Sequence, residues 1–186
     1  MGTGTSRLGL GSVALALSLV SCGTAGGGPF SWLHPQPPPS GWHVVRVPSG
    51  AELAYPADWQ RQRSDPGTAS AVQLGTHGRF IGYLNVTPRE GAETLSNWTS
   101  FRLEHNVDEG DRAVKRLAAA TGLHFRTGRG SCVKDSYSTA TNARYIELAC
   151  IVRGTQATSV IVGAAPPNSW AKTSGVIETA ISAFRT

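Results

Sequence analysis

Three runs rich in β-favouring residues lie close together in the last third of the chain: Ser131 to Ser138, Arg144 to Arg153 and Thr158 to Ala165. They constrain the fold more than any other feature, because links this short can join only antiparallel neighbours, and the runs therefore predict a β-meander. Pro166-Pro167-Asn168 ends it. Asn168 or Ser169 can cap a final helix in which Trp170, Ile177, Ile181 and Phe184 make one apolar stripe. A stripe of that width covers a sheet.

Upstream, His43 to Val47 and Glu52 to Tyr55 flank Pro48-Ser49-Gly50 and predict a hairpin. Strands are expected near Ala71 to Leu74 and from Phe80 to Val86, the second apolar on both faces at one end and so covered on both sides. Leu95, Trp98, Phe101 and His105 recur at three to four residues, as do Val114, Leu117 and Ala118. This spacing predicts two helical segments broken at Asp108-Glu109-Gly110-Asp111. The reading is an α+β domain, an antiparallel sheet flanked by helices with a C-terminal meander and closing helix.

The amino-terminal residues have a different character. Arg7 precedes an apolar stretch from Leu8 to Val20, which is shorter than the ~20 apolar residues a membrane span needs. It runs into Leu19-Val20-Ser21-Cys22, which resembles the lipobox of bacterial lipoproteins. The resemblance implies cleavage before Cys22, acylation of Cys22, and a protein held at the membrane facing outside the cytoplasm. Residues 1–21 are then a signal peptide. Residues 22–41, rich in Gly and Pro with Gly26-Gly27-Gly28 and Pro37-Pro38-Pro39, read as a tether, and residues 42–186 as one globular domain.

Acylation also resolves the cysteine count. With Cys22 given to lipid, Cys132 and Cys150 remain to form a disulfide in an oxidising compartment. If they face each other on neighbouring antiparallel strands, the register follows. Lys134 faces Leu148, Asp135 faces Glu147, Ser136 faces Ile146 and Tyr137 faces Tyr145, with the turn at Thr139 to Ala143. Cys132, Cys150, Leu148 and Ile146 then make the core face. A following turn centred on Gly154 to Gln156 adds Val160 and Val162 to it. Asp135, Tyr137, Tyr145 and Glu147 fall on the other face, a candidate contact surface. Two carboxylates directly opposite each other repel. An arginine, a shared proton, solvent or a bound cation must offset that repulsion.

The formal net charge is +5, or +4 without Arg7, and arginine carries most of it, Lys115, Lys134 and Lys172 being the lysines. No block of basic residues marks a nucleic-acid site. A basic surface favours anionic lipid heads or acidic wall polymers over a screening length of about 8 to 10 Å. His34, His43, His77, His105 and His124 lack metal-ligand spacing, and Gly128-Arg129-Gly130 is not followed by the Lys-Ser/Thr of a phosphate loop, so neither metal nor cofactor is expected. No Gly-x-Ser-x-Gly elbow is present.

The opening hairpin, Tyr55-Pro56-Ala57-Asp58-Trp59, the sheet with inserted helices and the Ile181 to Phe184 closing helix resemble the PsbP-like α/β/α sandwich, including lipoproteins of the LpqN type. The likeness spans roughly Trp42 to Arg185 and implies a non-enzymatic scaffold contacting an envelope protein or wall polymer, with no catalytic residues carried over. The alternative is a wall-active hydrolase using the Asp135 and Glu147 carboxylates. Intact mass of the exported protein should show a chain beginning at an acylated Cys22 with Cys132 and Cys150 oxidised; two free thiols there would undo the register.

Overall fold

The computed structural model describes residues 1–2 and 27–186. Cys22 and all but the first two residues of the expected signal peptide lie outside the described residues.

The hairpin forms as expected, β1 (His43–Arg46) pairing with β2 (Glu52–Tyr55) in a sheet of its own. Gly50 takes φ +93, a conformation that suits the residue without a Cβ, and its N–H closes the turn on the Val47 carbonyl at 2.9 Å. The main sheet holds β3 (Gln60–Gln62), β4 (Ala69–Leu74), β5 (Phe80–Pro88), β6 (Arg112–His124), β7 (Arg129–Ser138), β8 (Arg144–Arg153) and β9 (Thr158–Ala165). Its spatial order is β3-β4-β5-β9-β8-β7-β6, and every neighbouring pair is antiparallel. The short β3 had no signal strong enough to be read from the sequence.

The β7–β8 register is the one the cysteine pair implies. Cys132 is disulfide-bonded to Cys150 with their Cα atoms 4.1 Å apart, and Asp135 faces Glu147 while Tyr137 faces Tyr145. Closing this loop of 18 residues contributes ~3 kcal/mol on the chain-entropy argument.

The next turn corrects the expected face of two valines. Arg153 pairs with Thr158, the Gly154 N–H bonding the Ala157 carbonyl, so Cys150 faces Ile161 and Ala149 faces Val162. That differs by one residue from the expected register, and in a strand one residue exchanges the faces. Val160 and Val162 therefore lie with Asp135 and Glu147, and Ile161 joins the cysteines.

Both faces are covered. α2 (Pro167–Ala183) packs over β9, β8, β5 and β2 on the cysteine face, burying Ile177, Ile181 and, just past its end, Phe184. Pro166 stands at its N-cap with Pro167 at the first turn, and neither Asn168 nor Ser169 caps it. Lys134 sets its Nζ 4.9 Å from the centre of the Trp170 ring at the margin of this contact. On the other face α1 (Trp98–Asp108) packs over β6, β7 and β8, with Trp98 buried against Val133, Ala149 and Ile151. Gly110, at φ +90, ends it where the sequence break was expected.

Two further expectations are overturned. Val114, Leu117 and Ala118 do not form a second helix; they belong to β6, whose pairing with β7 shifts register at three places. A helix here would leave the β7 ladder without its outer partner, and the backbone hydrogen bonds of that edge outweigh the weak local preference of an alanine-rich run. Nor is the whole 22–41 segment a tether. Phe30 is 6% exposed within the cysteine-face core, Trp32 and Leu33 pack against that core, and the Gln36 N–H bonds the Ser182 carbonyl at 3.1 Å. Isolated aromatics in a Gly/Pro-rich run can dock wherever a sheet face remains uncovered, without any periodicity of their own.

Glycine lets α2 approach the sheet. A Cβ on Gly163 would run into Ile177 Cγ2, and one on Gly82 would stand 2.7 Å from Thr173 Cγ2, whereas a Cβ on Gly175, on the helix surface, meets nothing. Gly163→Ala should therefore cost about 1–3 kcal/mol in urea unfolding, and Gly175→Ala should stabilise by about 0.5–1 kcal/mol. Equal effects of the two substitutions would contradict this packing.

Candidate functional site

α1 stops short of the β4-β5 side of its face, leaving a step beside the helix. There a cleft of about 580 Å³ opens, lined by Ser70 on β4, Tyr83, Asn85 and Thr87 on β5, Val160, Val162 and Ala164 on β9, Glu147 on β8 and Tyr137 on β7. Arg102 and His105 form the helix wall, and the loop from Arg63 to Thr68 the opposite one.

The strand residues reach the cleft by alternation. On β5, Gly82, Leu84 and Val86 face α2, which sends Tyr83, Asn85 and Thr87 the other way. Asn85 Nδ2 donates to Ser70 Oγ at 2.9 Å and to the Ala69 carbonyl at 3.4 Å, and the Ser70 and Tyr83 hydroxyls lie 3.3 Å apart. Burial raises the Tyr83 phenol above its ordinary value. A register shift opposite Gln73 and Leu74 takes Phe80 out of step with Gly82, and its ring packs edge-on against Tyr145 at 5.6 Å. Tyr145 in turn lies 5.8 Å from Tyr137.

α1 is anchored before it begins. The Glu93 carboxylate accepts the Glu90 and Gly91 N–H groups, both at 2.8 Å, and Ser131 Oγ donates to the Leu95 carbonyl at 2.6 Å. Trp98 Nε1 then donates to the Ala149 carbonyl at 2.9 Å, and Trp98, Phe101 and His105 stack in sequence down the helix. One turn after Trp98, Arg102 sits on the same inward stripe. Its guanidinium donates through Nε to Glu147 Oε1 at 2.7 Å and through Nη2 to Oε2 at 2.8 Å. Burial opposes the Arg102 charge, but the Glu147 carboxylate beside it more than compensates and holds the guanidinium protonated.

The carboxylate pair is thus not a contact surface. Asp135 is fully buried and Glu147 is 1% exposed, while Tyr137 and Tyr145 are half-buried. The reason is the valine register: the face that bears the pair is itself apolar at Val133, Ile151, Val160 and Val162, and α1 covers it. One of the expected offsets, the arginine, is present, and a proton held by Asp135 alone takes the place of a shared one. Arg102 neutralises Glu147, and burial, reinforced by the Glu147 charge, pushes the Asp135 carboxyl up to about 8, so that it holds a proton at neutral pH. Neither Asp135 oxygen has a hydrogen-bond partner among the described residues. Tyr137 donates weakly to Glu147 Oε2 at 3.4 Å, and burial with the Glu147 charge raises its phenol well above the ordinary value. Only Glu147 and Tyr137 of the four candidates line the cleft.

Sequence reasoning missed Arg102 and the Ser70-Tyr83-Asn85 group. A signal existed for each: Arg102 stands four residues from Trp98 in an otherwise apolar stripe, and Tyr83, Asn85 and Thr87 alternate with glycine and aliphatic residues. Among the described residues no group of three or more His, Cys, Asp or Glu side chains is placed to hold a metal ion, and no helix is long and apolar enough to cross a membrane.

The single antiparallel sheet, covered by α2 on one face and partly by α1 on the other and preceded by its own hairpin, is a PsbP-like fold, as the sequence resemblance implied. Among solved structures, the cyanobacterial PsbP protein CyanoP of Synechocystis superposes with a TM-score of 0.58 at 15% identity, over 90% of this chain and 98% of that one. A protein of unknown function from Pseudomonas aeruginosa gives 0.52 at 10% identity, over 78% and 96%. LpqN of Mycobacterium tuberculosis, involved in cell envelope biogenesis, gives 0.36 at 15% identity over 76% and 87%, a likeness too loose to carry an argument. No family model matches the chain, and neither does any curated protein sequence. These likenesses establish the fold alone.

The raised Asp135 carboxyl has a thermodynamic consequence. Between about pH 4 and pH 8 the unfolded chain loses this proton while the folded chain keeps it, so rising pH favours unfolding until both forms are ionised. Asp135→Asn removes that dependence. Thermal melts from pH 4 to 9 should show the variant gaining on the wild type through this window and levelling off above about pH 8. A constant difference would place the Asp135 proton elsewhere.

Proposed function

We propose that the protein is a lipid-anchored binding module of the bacterial cell envelope, working outside the cytoplasm, and that the cleft beside α1 holds its ligand, a segment of wall polymer. The Leu19-Val20-Ser21-Cys22 lipobox supports the anchor and the compartment. The observation that carries the binding role is the make-up of the cleft. Hydroxyls, an amide and two tyrosine rings line a concave step together with charged side chains of both signs, Arg63, Asp65, Glu90 and Glu109 among them, and that chemistry suits a polar ligand rich in hydroxyl and amide groups.

The same geometry argues against hydrolysis by the carboxylate pair. Both oxygens of Glu147 are engaged by Arg102, and Asp135, the protonated member, does not line the cleft. A glycosidase needs both carboxyls at the scissile bond. The cleft beside Glu147 and the raised Asp135 carboxyl are the observations in favour of that second reading.

Purified wall polymer titrated against the unlipidated domain should bind, and Asn85→Ala together with Tyr83→Phe should weaken binding about tenfold, the effect of losing roughly one net hydrogen bond. Unchanged binding in this variant would remove the cleft, and retention of an envelope protein in place of the polymer would change the ligand class. Release of new reducing ends, abolished by Glu147→Gln, would establish the hydrolase instead.

A further inference from the structure

Arginines scattered through the sequence converge at one end of the main sheet. The Arg89 N–H bonds the Thr158 carbonyl, Thr158 faces Arg153, Arg153 faces Arg129 and Arg129 faces His124, so exposed basic side chains cap β5, β8, β7 and β6 in a row. Behind this row, Arg126 donates through Nη1 to the Ala183 carbonyl at 3.1 Å, and Arg185 follows two residues later. Among the described residues none of Arg89, Arg126, Arg129 and Arg153 is ion-paired. Glu52, the acid next to Arg185, is shared between Arg185 and Arg46, and Glu90 follows Arg89 in the chain. Arg129 directly opposite Arg153 is an unfavourable pairing of like charges.

The amino-terminal segment docks at this same end. The His34 and Gln36 N–H groups bond Ser182, the residue before the carbonyl that anchors Arg126. Because Phe30 is held in the core, only seven residues lie between it and Cys22, a span of about 28 Å at full extension, far less than a free tether of 20 residues could reach.

We propose that this arginine row is a docking surface for the anionic headgroups of the bilayer in which Cys22 is anchored, so that the domain stands on the membrane in a fixed orientation. The proposal rests on the lipid-anchor reading for its geometry. The short link keeps this end of the domain close enough to the anchor for the row to reach the headgroups, and within a screening length of them each arginine is attracted. A wall polymer would gain nothing from that link.

The test uses the chain from Gly23 onward, which carries the whole described fold without the lipid, in co-sedimentation with vesicles. Binding is expected to phosphatidylglycerol-containing vesicles at low salt, with release at high salt and none to pure phosphatidylcholine. Arg129→Glu plus Arg153→Glu should lower it at least about tenfold, with melting and circular dichroism as the check on folding, and Arg89→Gln plus Arg153→Gln provides a milder pair. Equal binding to both vesicle types, or binding indifferent to these substitutions, overturns the proposal. Intact mass of the native protein reads the anchor separately. An acylated chain without headgroup selectivity defeats the surface alone, and a selective surface on a chain that is never acylated defeats the anchoring instead.

Discussion

The cross-link between Cys132 and Cys150 sets β7 against β8, and much of the interior follows from that register. It places Asp135 opposite Glu147 on a face whose other residues are apolar, so two carboxylates are taken out of water side by side. Such a pair is not tolerated as two charges. Arg102 supplies a bidentate partner to one, and the other retains its proton. The position of α1 is tied to this arrangement, since the helix carrying Arg102 must lie over β8.

Unequal cover of the two faces creates the site. α2 seats closely on the cysteine face because Gly82 and Gly163 offer no side chain, and the Phe30 to Leu33 segment extends that cover. α1 is shorter and lies over β6, β7 and β8, leaving the β4 and β5 side of its own face open. The polar residues of β5 that alternate with its core residues are consequently exposed in a cleft instead of being packed beneath a helix.

Several features were legible because they depend on local pattern or on a single covalent constraint. The meander, the Pro48-Ser49-Gly50 hairpin, the Gly110 break and the closing helix were of this kind, and so was the pairing of Asp135 with Glu147. The departures from local pattern have a common cause. Val160 and Val162 lie on the face opposite the expected one because of a single residue at the Gly154 to Ala157 turn, and β6 carries a helix-like spacing that its ladder with β7 overrides. Phe30 is core without belonging to any periodic run. In each case the outcome was decided by a partner distant in the chain.

By itself the sequence determined the antiparallel architecture and the central register, because alternation, turn residues and one cysteine pair act over short or covalently closed distances. Tertiary structure alone decided that the acidic couple is buried and paired with Arg102, that Ser70, Tyr83 and Asn85 share a cleft, and that Arg89, Arg129 and Arg153 form a row. Burial and charge proximity are properties of which surfaces meet, and residues far apart in the chain acquire them only when the sheet and its two helices are assembled.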